Sequence, residues 1–161
     1  MEKIGQTKFA VYGKTNYPDA SQSLRLSFGT VKSYLANGSI APVKTTFYGL
    51  FDRSNGFEVK YPFNIPARFS ERKDRLNLAV PMDFISTLDI IGGSSGSPVV
   101  NRNGEIVGVI FDTNIEAMVG RFIYDETKNR AVAVQTGGII EALRKIYDAE
   151  TLADEIEGIK K

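Results

Sequence analysis

The sequence of 161 residues contains neither cysteine nor histidine. Without cysteine there is no disulfide framework, no thiolate nucleophile and no cysteine-based zinc site. Without histidine, the common zinc ligands are reduced to carboxylates, so we expect no metal and no other cofactor. The missing histidine is also the side chain that most often serves as a general base. A reactive serine in this chain would therefore need a base from elsewhere.

Excess charge and long apolar runs are also missing. Twenty basic residues against 19 acidic ones give a net charge of +1, which predicts no attraction to nucleic acid or to an anionic membrane. No stretch approaches the roughly 18 apolar residues of a membrane span, and the N-terminus has no secretory apolar region. With 42% hydrophobic residues, the sequence predicts one globular domain over residues 1–161, retained where it is made.

Short apolar runs separated by turn residues predict strands through most of the chain. The predicted strands are Thr7–Gly13, Ser23–Leu35 (burying Leu24, Leu26 and Phe28), Val43–Phe51 and Phe84–Ile91. Two hairpins are predicted, one around Arg102–Gly104 and one joining "RFIYD" to "RAVAVQT". One helical turn is expected near Ser70–Asp74, and a C-terminal helix over residues 138–158 should bury Ile139, Ile140, Leu143 and Ile146. The predicted fold class is mainly β, an antiparallel barrel or sandwich with a C-terminal α-helix.

The stretch "DIIGGSSGSPVVNRNG" (Asp89–Gly104) concentrates serines between glycines. A hydrolase elbow on Ser94 requires a helix after the turn, whereas a strand is predicted there. A phosphate-binding loop requires a lysine and a helix, and neither is present. A third interpretation is a loop between barrel strands, where the Gly93 and Ser95 amides form an oxyanion hole beside the Ser95 hydroxyl. A glycine-serine turn without function remains open on the pattern alone.

The surroundings of this loop resemble one family. The chain is similar, from about Lys8 to the last helix, to bacterial serine dipeptidyl peptidases of types seven and eleven. The stretches that carry the resemblance are "FAVYG", "YPDASQSLRLSFGTVKSY", "KTTFYGLFDR", "PFNIPARF", "FISTLDIIGGSSGSPVVNRNGEIVGVIFDTNIEAM" and "DETKNRAVAV" with "IIEALRKIY". The resemblance implies a chymotrypsin-like double barrel of which this chain is the second barrel.

The resemblance also implies roles for individual residues. Ser95 lies at the nucleophile position, and Gly93 with Ser95 offers the oxyanion-hole amides. Asp112 matches an aspartate that holds the free amino terminus of the substrate. Thr113 matches the specificity-pocket position, and Asn114, at the end of the strand that should border this pocket, is expected to bind substrate as well.

The sequence departs from the family at several positions. Ser94 replaces the usual asparagine before the nucleophile, and Gln135 and Thr136 stand where relatives often carry a histidine. The family's base histidine and orienting aspartate belong to a first barrel, which this sequence does not contain. A lysine base (Lys32, Lys44 or Lys60) would be an alternative, although the strand and loop contexts of these lysines do not single one out.

The expected function is therefore the nucleophile-bearing C-terminal half-barrel of a serine dipeptidyl peptidase, inactive or nearly so alone. Expected partners are a peptide substrate, an N-terminal barrel in cis or in trans, and a second copy in a homodimer. Two alternatives remain open: one chain of a split peptidase, and a non-catalytic barrel that serves as a binding or structural module. The family is periplasmic, cell-surface or secreted, which is the expected location of the parent protein.

Overall fold

The computed structural model describes residues 2–13, 24–121 and 124–159. Within these ranges the chain forms five α-helices and seven strands. The helices are α1 (Glu2–Tyr12), α2 (Phe47–Gly56), α3 (Ala67–Glu71), α4 (Thr136–Lys145) and α5 (Glu150–Ile156). The strands are β1 (Leu35–Ala36), β2 (Ser39–Ile40), β3 (Lys44–Thr46), β4 (Pro81–Ser86), β5 (Pro98–Val100), β6 (Ile106–Thr113) and β7 (Ala131–Gln135). Two 3₁₀ helices, Lys73–Arg75 and Ile115–Arg121, complete the regular structure of these ranges. None of the helices in the described ranges has the length and apolar character needed to cross a membrane.

Five strands form one antiparallel sheet in the order β3-β4-β7-β6-β5. β1 and β2 form a separate two-stranded hairpin. The predicted fold class, mainly β and antiparallel with C-terminal helical structure, is confirmed. Among the described residues no ladder joins β3 to β5, so the sheet itself is open at both edges.

Two apolar clusters hold the sheet and the helices together. One lies between α2 and the end of α4 and is built on Phe47, Phe51, Leu76 and Ile146. The other lies on the sheet and is built on Phe84, Ile110, Ala131 and Ala133. Glycine is required at two close approaches: a Cβ on Gly108 would lie 2.6 Å from the Phe84 ring, and one on Gly138 would lie 2.6 Å from the Pro81 carbonyl oxygen. Gly138 thereby lets α4 pack directly against β4.

The strand predicted for Val43–Phe51 is wrong beyond residue 46, because the chain turns there into α2. The Thr46 hydroxyl caps this helix by accepting a hydrogen bond from the Gly49 amide (3.3 Å). Phe47, Phe51 and Ser54 then share one buried face at helical spacing. A cap and a helical apolar face together outweigh the β preference of the individual residues.

The strand predicted for Thr7–Gly13 is also wrong, since residues 2–12 form α1. A helix satisfies its backbone hydrogen bonds locally, whereas a strand needs a neighbour, and none of the described strands pairs with this stretch. The Thr7 hydroxyl adds a bond to the Lys3 carbonyl (2.8 Å). The predicted helical turn near Ser70–Asp74 is confirmed by the end of α3 and the 3₁₀ helix that follows.

The strand predicted for Ser23–Leu35 lies partly outside the described residues, and its burial pattern is wrong for the rest. Residues 24–34 are extended and make only an isolated bridge, Val31 to Ser86. Leu24, Leu26 and Phe28 point outward, with exposed fractions of 92%, 72% and 85%. We call these three side chains the outward apolar row.

Backbone contacts hold this segment beside the chain leaving β4. Gly29 lies so close to that chain that a Cβ would be 2.7 Å from Thr87 and Leu88 backbone atoms. The Thr30 amide donates to the Thr87 hydroxyl and the Thr87 amide donates to the Thr30 carbonyl, both at 2.9 Å. Ser27 is exposed like the outward apolar row, and Arg25 is half-buried, so buried and exposed side chains do not alternate here.

The remaining element predictions are mixed. The first hairpin is confirmed as β5 and β6 around Arg102–Gly104. The strand expected at Phe84–Ile91 is shifted, because β4 covers Pro81–Ser86. In the second predicted hairpin β7 is confirmed, but residues 115–121 are 3₁₀ helix and 122–123 lie outside the described residues. β7 pairs instead with β4 and β6.

The single helix expected over residues 138–158 is two helices. Asp148 adopts a φ of +52°, a left-handed conformation that ends helical continuity between α4 and α5. Of the four apolar residues expected to pack on the sheet, Ile146 is fully buried, while Ile139, Ile140 and Leu143 are half-buried. Ile139 and Leu143 border a largely apolar cavity of about 280 Å³ between α4, α2 and β4.

Candidate active site

The serine loop, residues 92–97, joins the extended exit of β4 to β5, so strands flank it on both sides. Gly93 and Gly96 have φ values of +96° and +89°, in the left-handed region that glycine adopts without strain. Because β5 rather than a helix follows, the loop does not have the strand-turn-helix form of a hydrolase elbow. The backbone conformation therefore accounts for both glycines.

Three backbone amides of the loop are committed to holding its shape. The Ser94 amide donates to Ile91 O (3.0 Å), the Ser97 amide to Ser94 O (3.0 Å) and the Gly96 amide to Ile110 O (2.8 Å). Within the described parts of the chain, the amides of Gly93 and Ser95 donate to no protein acceptor. These two are the amides that the sequence predicts for an oxyanion hole.

The Ser95 side chain is exposed at the tip of the loop. Its hydroxyl donates to the backbone carbonyl of Phe111 (3.4 Å), which lies near the end of β6. A peptide carbonyl is not a base, and none of the hydrogen bonds in the described ranges joins Ser95 to a lysine. The side chain is thus accessible, and in the described parts of the chain its hydroxyl makes no hydrogen bond to a basic group.

Ser94, in contrast, is held in place. Its hydroxyl oxygen accepts from the Ile91 amide and from the Arg25 guanidinium, each at 3.4 Å. Burial raises the pKa of the nearby Asp89 carboxyl, and the positive charge of Arg25 opposes that rise. Arg25 therefore connects residues 24–34 to the serine loop. Sequence reasoning missed this role because it placed Arg25 on the exposed face of a strand.

The end of β6 forms a rim beside the serine loop. A register shift between Ile110 and Asp112 leaves Phe111 in a β-bulge, with its carbonyl facing Ser95. Asp112 is exposed, and its carboxylate accepts a hydrogen bond from the Thr113 amide (2.8 Å). We call Asp112 and Thr113 the rim. The Ser95–Phe111 hydrogen bond places the serine loop against the strand end that carries the rim.

Asn114 differs from the other predicted residues. Its side-chain oxygen accepts from the Arg130 amide (2.7 Å), and its side-chain nitrogen donates to Lys128 O and to the Glu116 carboxylate (2.8 Å each). These intramolecular bonds engage both amide hydrogens. The role of Asn114 in substrate binding stays a prediction.

Arg130 is the most buried charged residue near the site, with an exposed fraction of 1%. Its guanidinium donates to four backbone carbonyls, those of Lys32, Ser33, Glu126 and Asn129, at 2.6–2.9 Å. Sequence analysis missed it, since an arginine between a polar turn and a strand ordinarily faces solvent. In the described ranges, no cluster of acidic side chains is arranged to hold a metal ion.

Comparisons with known proteins find relatives of one kind. The chain is 34% identical over 152 residues to dipeptidyl-peptidase 7 of Capnocytophaga gingivalis, covering 87% of this chain and 21% of that protein. It is 29% identical over 176 residues to the Asp/Glu-specific dipeptidyl-peptidase of Shewanella putrefaciens, covering 89% of this chain and 24% of that protein. The chain thus spans between a fifth and a quarter of the length of these relatives.

Solved structures agree with the sequence comparison. Porphyromonas endodontalis DPP11 in complex with the dipeptide Arg-Asp superposes with a TM-score of 0.75 and 26% identity, over 94% of this chain and 23% of that chain. The sequence model of the Peptidase S46 family matches residues 1–158. A match over nearly the whole sequence establishes the relationship, and the chain belongs to the Peptidase S46 family.

Proposed function

We propose that this chain is the nucleophile-bearing part of a serine dipeptidyl peptidase. The observation that carries the proposal is the serine loop: Ser95 is exposed between two glycines in left-handed conformation, and the Gly93 and Ser95 amides are uncommitted in the described structure. The relatives named above are dipeptidyl peptidases, which supports the same reaction class.

In this proposal Ser95 attacks the carbonyl carbon of the second residue of a peptide. The developing oxyanion accepts hydrogen bonds from the Gly93 and Ser95 amides while the base takes the Ser95 hydroxyl proton. The peptide bond then breaks and the shortened peptide leaves as an amine with that proton. Water hydrolyses the resulting acyl-enzyme, which releases the dipeptide and restores the Ser95 hydroxyl. Asp112 faces the α-ammonium group of the substrate, and Thr113 borders the side chain before the cleaved bond. Thr113 is uncharged, which favours a neutral side chain at that position.

The base must come from outside this chain, since the chain has no histidine. We propose that an N-terminal barrel, in cis or in trans, supplies it and covers the outward apolar row. Leu24, Leu26 and Phe28 are 72–92% exposed on the segment that also carries Arg25 to the serine loop, which supports docking beside the site. By family resemblance, the assembled protein belongs in the periplasm or at the cell surface, which cell fractionation would test.

Labelling with a fluorophosphonate tests the nucleophile. We expect slow labelling of the isolated chain, at least about 10³-fold below an intact serine peptidase, because the histidine is missing. Ser95→Ala should abolish the labelling and Ser94→Ala should not. Joining the histidine-bearing region should restore the rate and release dipeptides from peptides with a free, but not an acetylated, N-terminus.

Two results would contradict the proposal. Labelling of the isolated chain at the rate of an intact peptidase would mean that the base lies within this chain. Absence of labelling after assembly with the histidine-bearing region would exclude Ser95 as nucleophile and favour a non-catalytic binding module.

A further inference from the structure

Asn114 is the residue at which the chain leaves the sheet. The Asn114 amide donates to Arg130 O (2.9 Å), as expected for a further pair of the β6–β7 ladder. The Asn114 backbone carbonyl, however, accepts from the Ala117 amide (3.1 Å) and so starts the 3₁₀ helix that follows. One backbone carbonyl therefore turns away from the sheet and into the next element.

The Asn114 side chain replaces that carbonyl. Its Oδ1 accepts from the Arg130 amide at 2.7 Å, completing the reciprocal pair that the backbone alone would leave open. Its Nδ2 donates to Lys128 O and so fixes the turn before β7. Only a short side chain with both an acceptor and a donor can make this exchange, and among the standard residues asparagine has that combination at this length.

The Asn114–Arg130 pair also connects to a distant segment. The Arg130 guanidinium donates to Lys32 O (2.9 Å) and Ser33 O (2.7 Å), in the segment that runs back toward Arg25. The rim is therefore bounded by the Phe111 bulge on one side and by the Asn114–Arg130 pair on the other. Asp112 and Thr113 also pair with Val132 and Ala131 of β7, and the Asn114–Arg130 pair closes that ladder directly after them.

We infer that Asn114 is a positioning residue: through its hydrogen bonds to Arg130 and Lys128 it sets the rim, Asp112 and Thr113, relative to Ser95. The inference rests on the proposed function for the meaning of the rim, and it replaces a direct contact of Asn114 with substrate. Its side-chain hydrogens are both engaged by protein acceptors, which leaves none to donate to a ligand.

The test uses ¹⁵N-labelled chains carrying Asn114→Ala, Asn114→Asp or Asn101→Ala. Asn101 is the matched control, because its Oδ1 accepts from the Asn103 and Glu105 amides (2.9 and 3.1 Å) at the opposite end of the β5–β6 hairpin. Amide chemical shifts report the position of the rim. Titration with the dipeptide Val-Ala, and with N-acetyl-Val-Ala as a control without the amine, reports binding.

We expect Asn114→Ala to shift the amides of Ser95, of the rim and of Lys32 and Ser33. The Val-Ala affinity should fall roughly tenfold, the factor that corresponds to about one lost hydrogen bond. Asn101→Ala should shift only the hairpin turn and leave the affinity unchanged. Asn114→Asp retains the acceptor for the Arg130 amide, and the chemical shift of the Arg130 amide should therefore stay unchanged in this variant. The aspartate variant keeps the inference testable even if the alanine variant does not fold.

Unchanged rim shifts in Asn114→Ala would overturn the inference, and if the affinity fell at the same time they would assign Asn114 a direct contact. Rim shifts of equal size in Asn101→Ala would show that the effect is general loosening and would also overturn it. Absence of Val-Ala binding by the unmodified chain would count against the proposed site in the isolated chain. The comparison of rim shifts would still decide the role of Asn114.

Discussion

Arg130→Ala should reveal how much of the site depends on one buried cation. The guanidinium donates four hydrogen bonds to backbone carbonyls at 2.6–2.9 Å and lies over the Tyr34 ring, 5.6 Å from its centroid. Each hydrogen bond to a charged group contributes about 1.5–3 kcal/mol, which sums to roughly 6–12 kcal/mol. Burying the cation costs several kcal/mol in desolvation, and the substitution relieves that cost. We therefore expect Arg130→Ala to lower the free energy of unfolding by about 3–5 kcal/mol net.

A loss of that size is a large part of the roughly 5–15 kcal/mol that stabilises an ordinary domain, and urea denaturation measures it directly. Arg53→Ala is the matched control, because this exposed arginine lies over the rings of Phe57 and Phe63 at 4.9 and 5.1 Å. It should lose only about 0.5–1 kcal/mol. Arg130→Lys keeps the charge but loses the planar guanidinium, so its loss of stability should lie between those of Arg130→Ala and Arg53→Ala.

The same substitution should release residues 24–34, because Arg130 holds them through Lys32 O and Ser33 O. Limited trypsin digestion should then cleave after the exposed Lys32 faster in Arg130→Ala than in Arg53→Ala. The reasoning is refuted if Arg130→Ala loses less than about 1 kcal/mol, or if the cleavage rates of the two variants are equal.

Three further predictions concern the core and the ion pairs. Ile146→Ala should lower the free energy of unfolding, measured by urea denaturation, by about 2–5 kcal/mol, because the side chain is fully buried. The control Ile156→Ala, at a residue that is 57% exposed, should lower it by under about 0.5 kcal/mol. Equal losses in the two variants would contradict the packing of Ile146. Gly108→Ala should lower stability by about 1–3 kcal/mol, because the new methyl group would lie 2.6 Å from a core phenylalanine ring. Gly56→Ala, with open space around the new methyl group, should not lower it. The thermal unfolding midpoints of the two variants test this difference. Hydrogen bonds from two arginines lower the pKa of Asp148, so its contribution to stability is present above about pH 4 and is lost as the pH falls through the lowered value. Urea midpoints of the unmodified chain should therefore fall on acidification below pH 4, and Asp148→Asn should remove part of that fall.

Sequence patterns predicted the features that depend on a few neighbouring residues, such as the β5–β6 turn and the serine loop. Asn103 and Gly104 predicted the β5–β6 turn, and the glycine-serine run predicted a loop between two strands, which the structure shows between β4 and β5. Ser95, Asp112 and Thr113 were predicted as site residues, and the structure shows a hydrogen bond from Ser95 to Phe111, the residue before Asp112. Their chemical roles stay predictions.

Predictions failed where tertiary contacts compete with local preference. The aromatic, β-branched run that begins α2 reads as a strand until the Thr46 cap and the buried face of Phe47 and Phe51 are known. The outward apolar row has the alternation of a half-buried strand, and alternation cannot tell which side faces the core. In the structure all three apolar side chains are exposed, whereas Arg25 is half-buried.

The sequence by itself determined the chemistry available to this protein: a serine between glycines, no histidine and no cysteine. It also determined the antiparallel fold class, because strand periodicity and turn residues are local properties of the chain. Only the tertiary structure decided that Arg25 reaches Ser94 and that Arg130 is buried beneath residues 32–34. It also decided that the Asn114 side chain forms hydrogen bonds with Arg130 and Lys128. These contacts join residues up to 98 positions apart, so they depend on how tethered segments pack and not on any pattern within one segment.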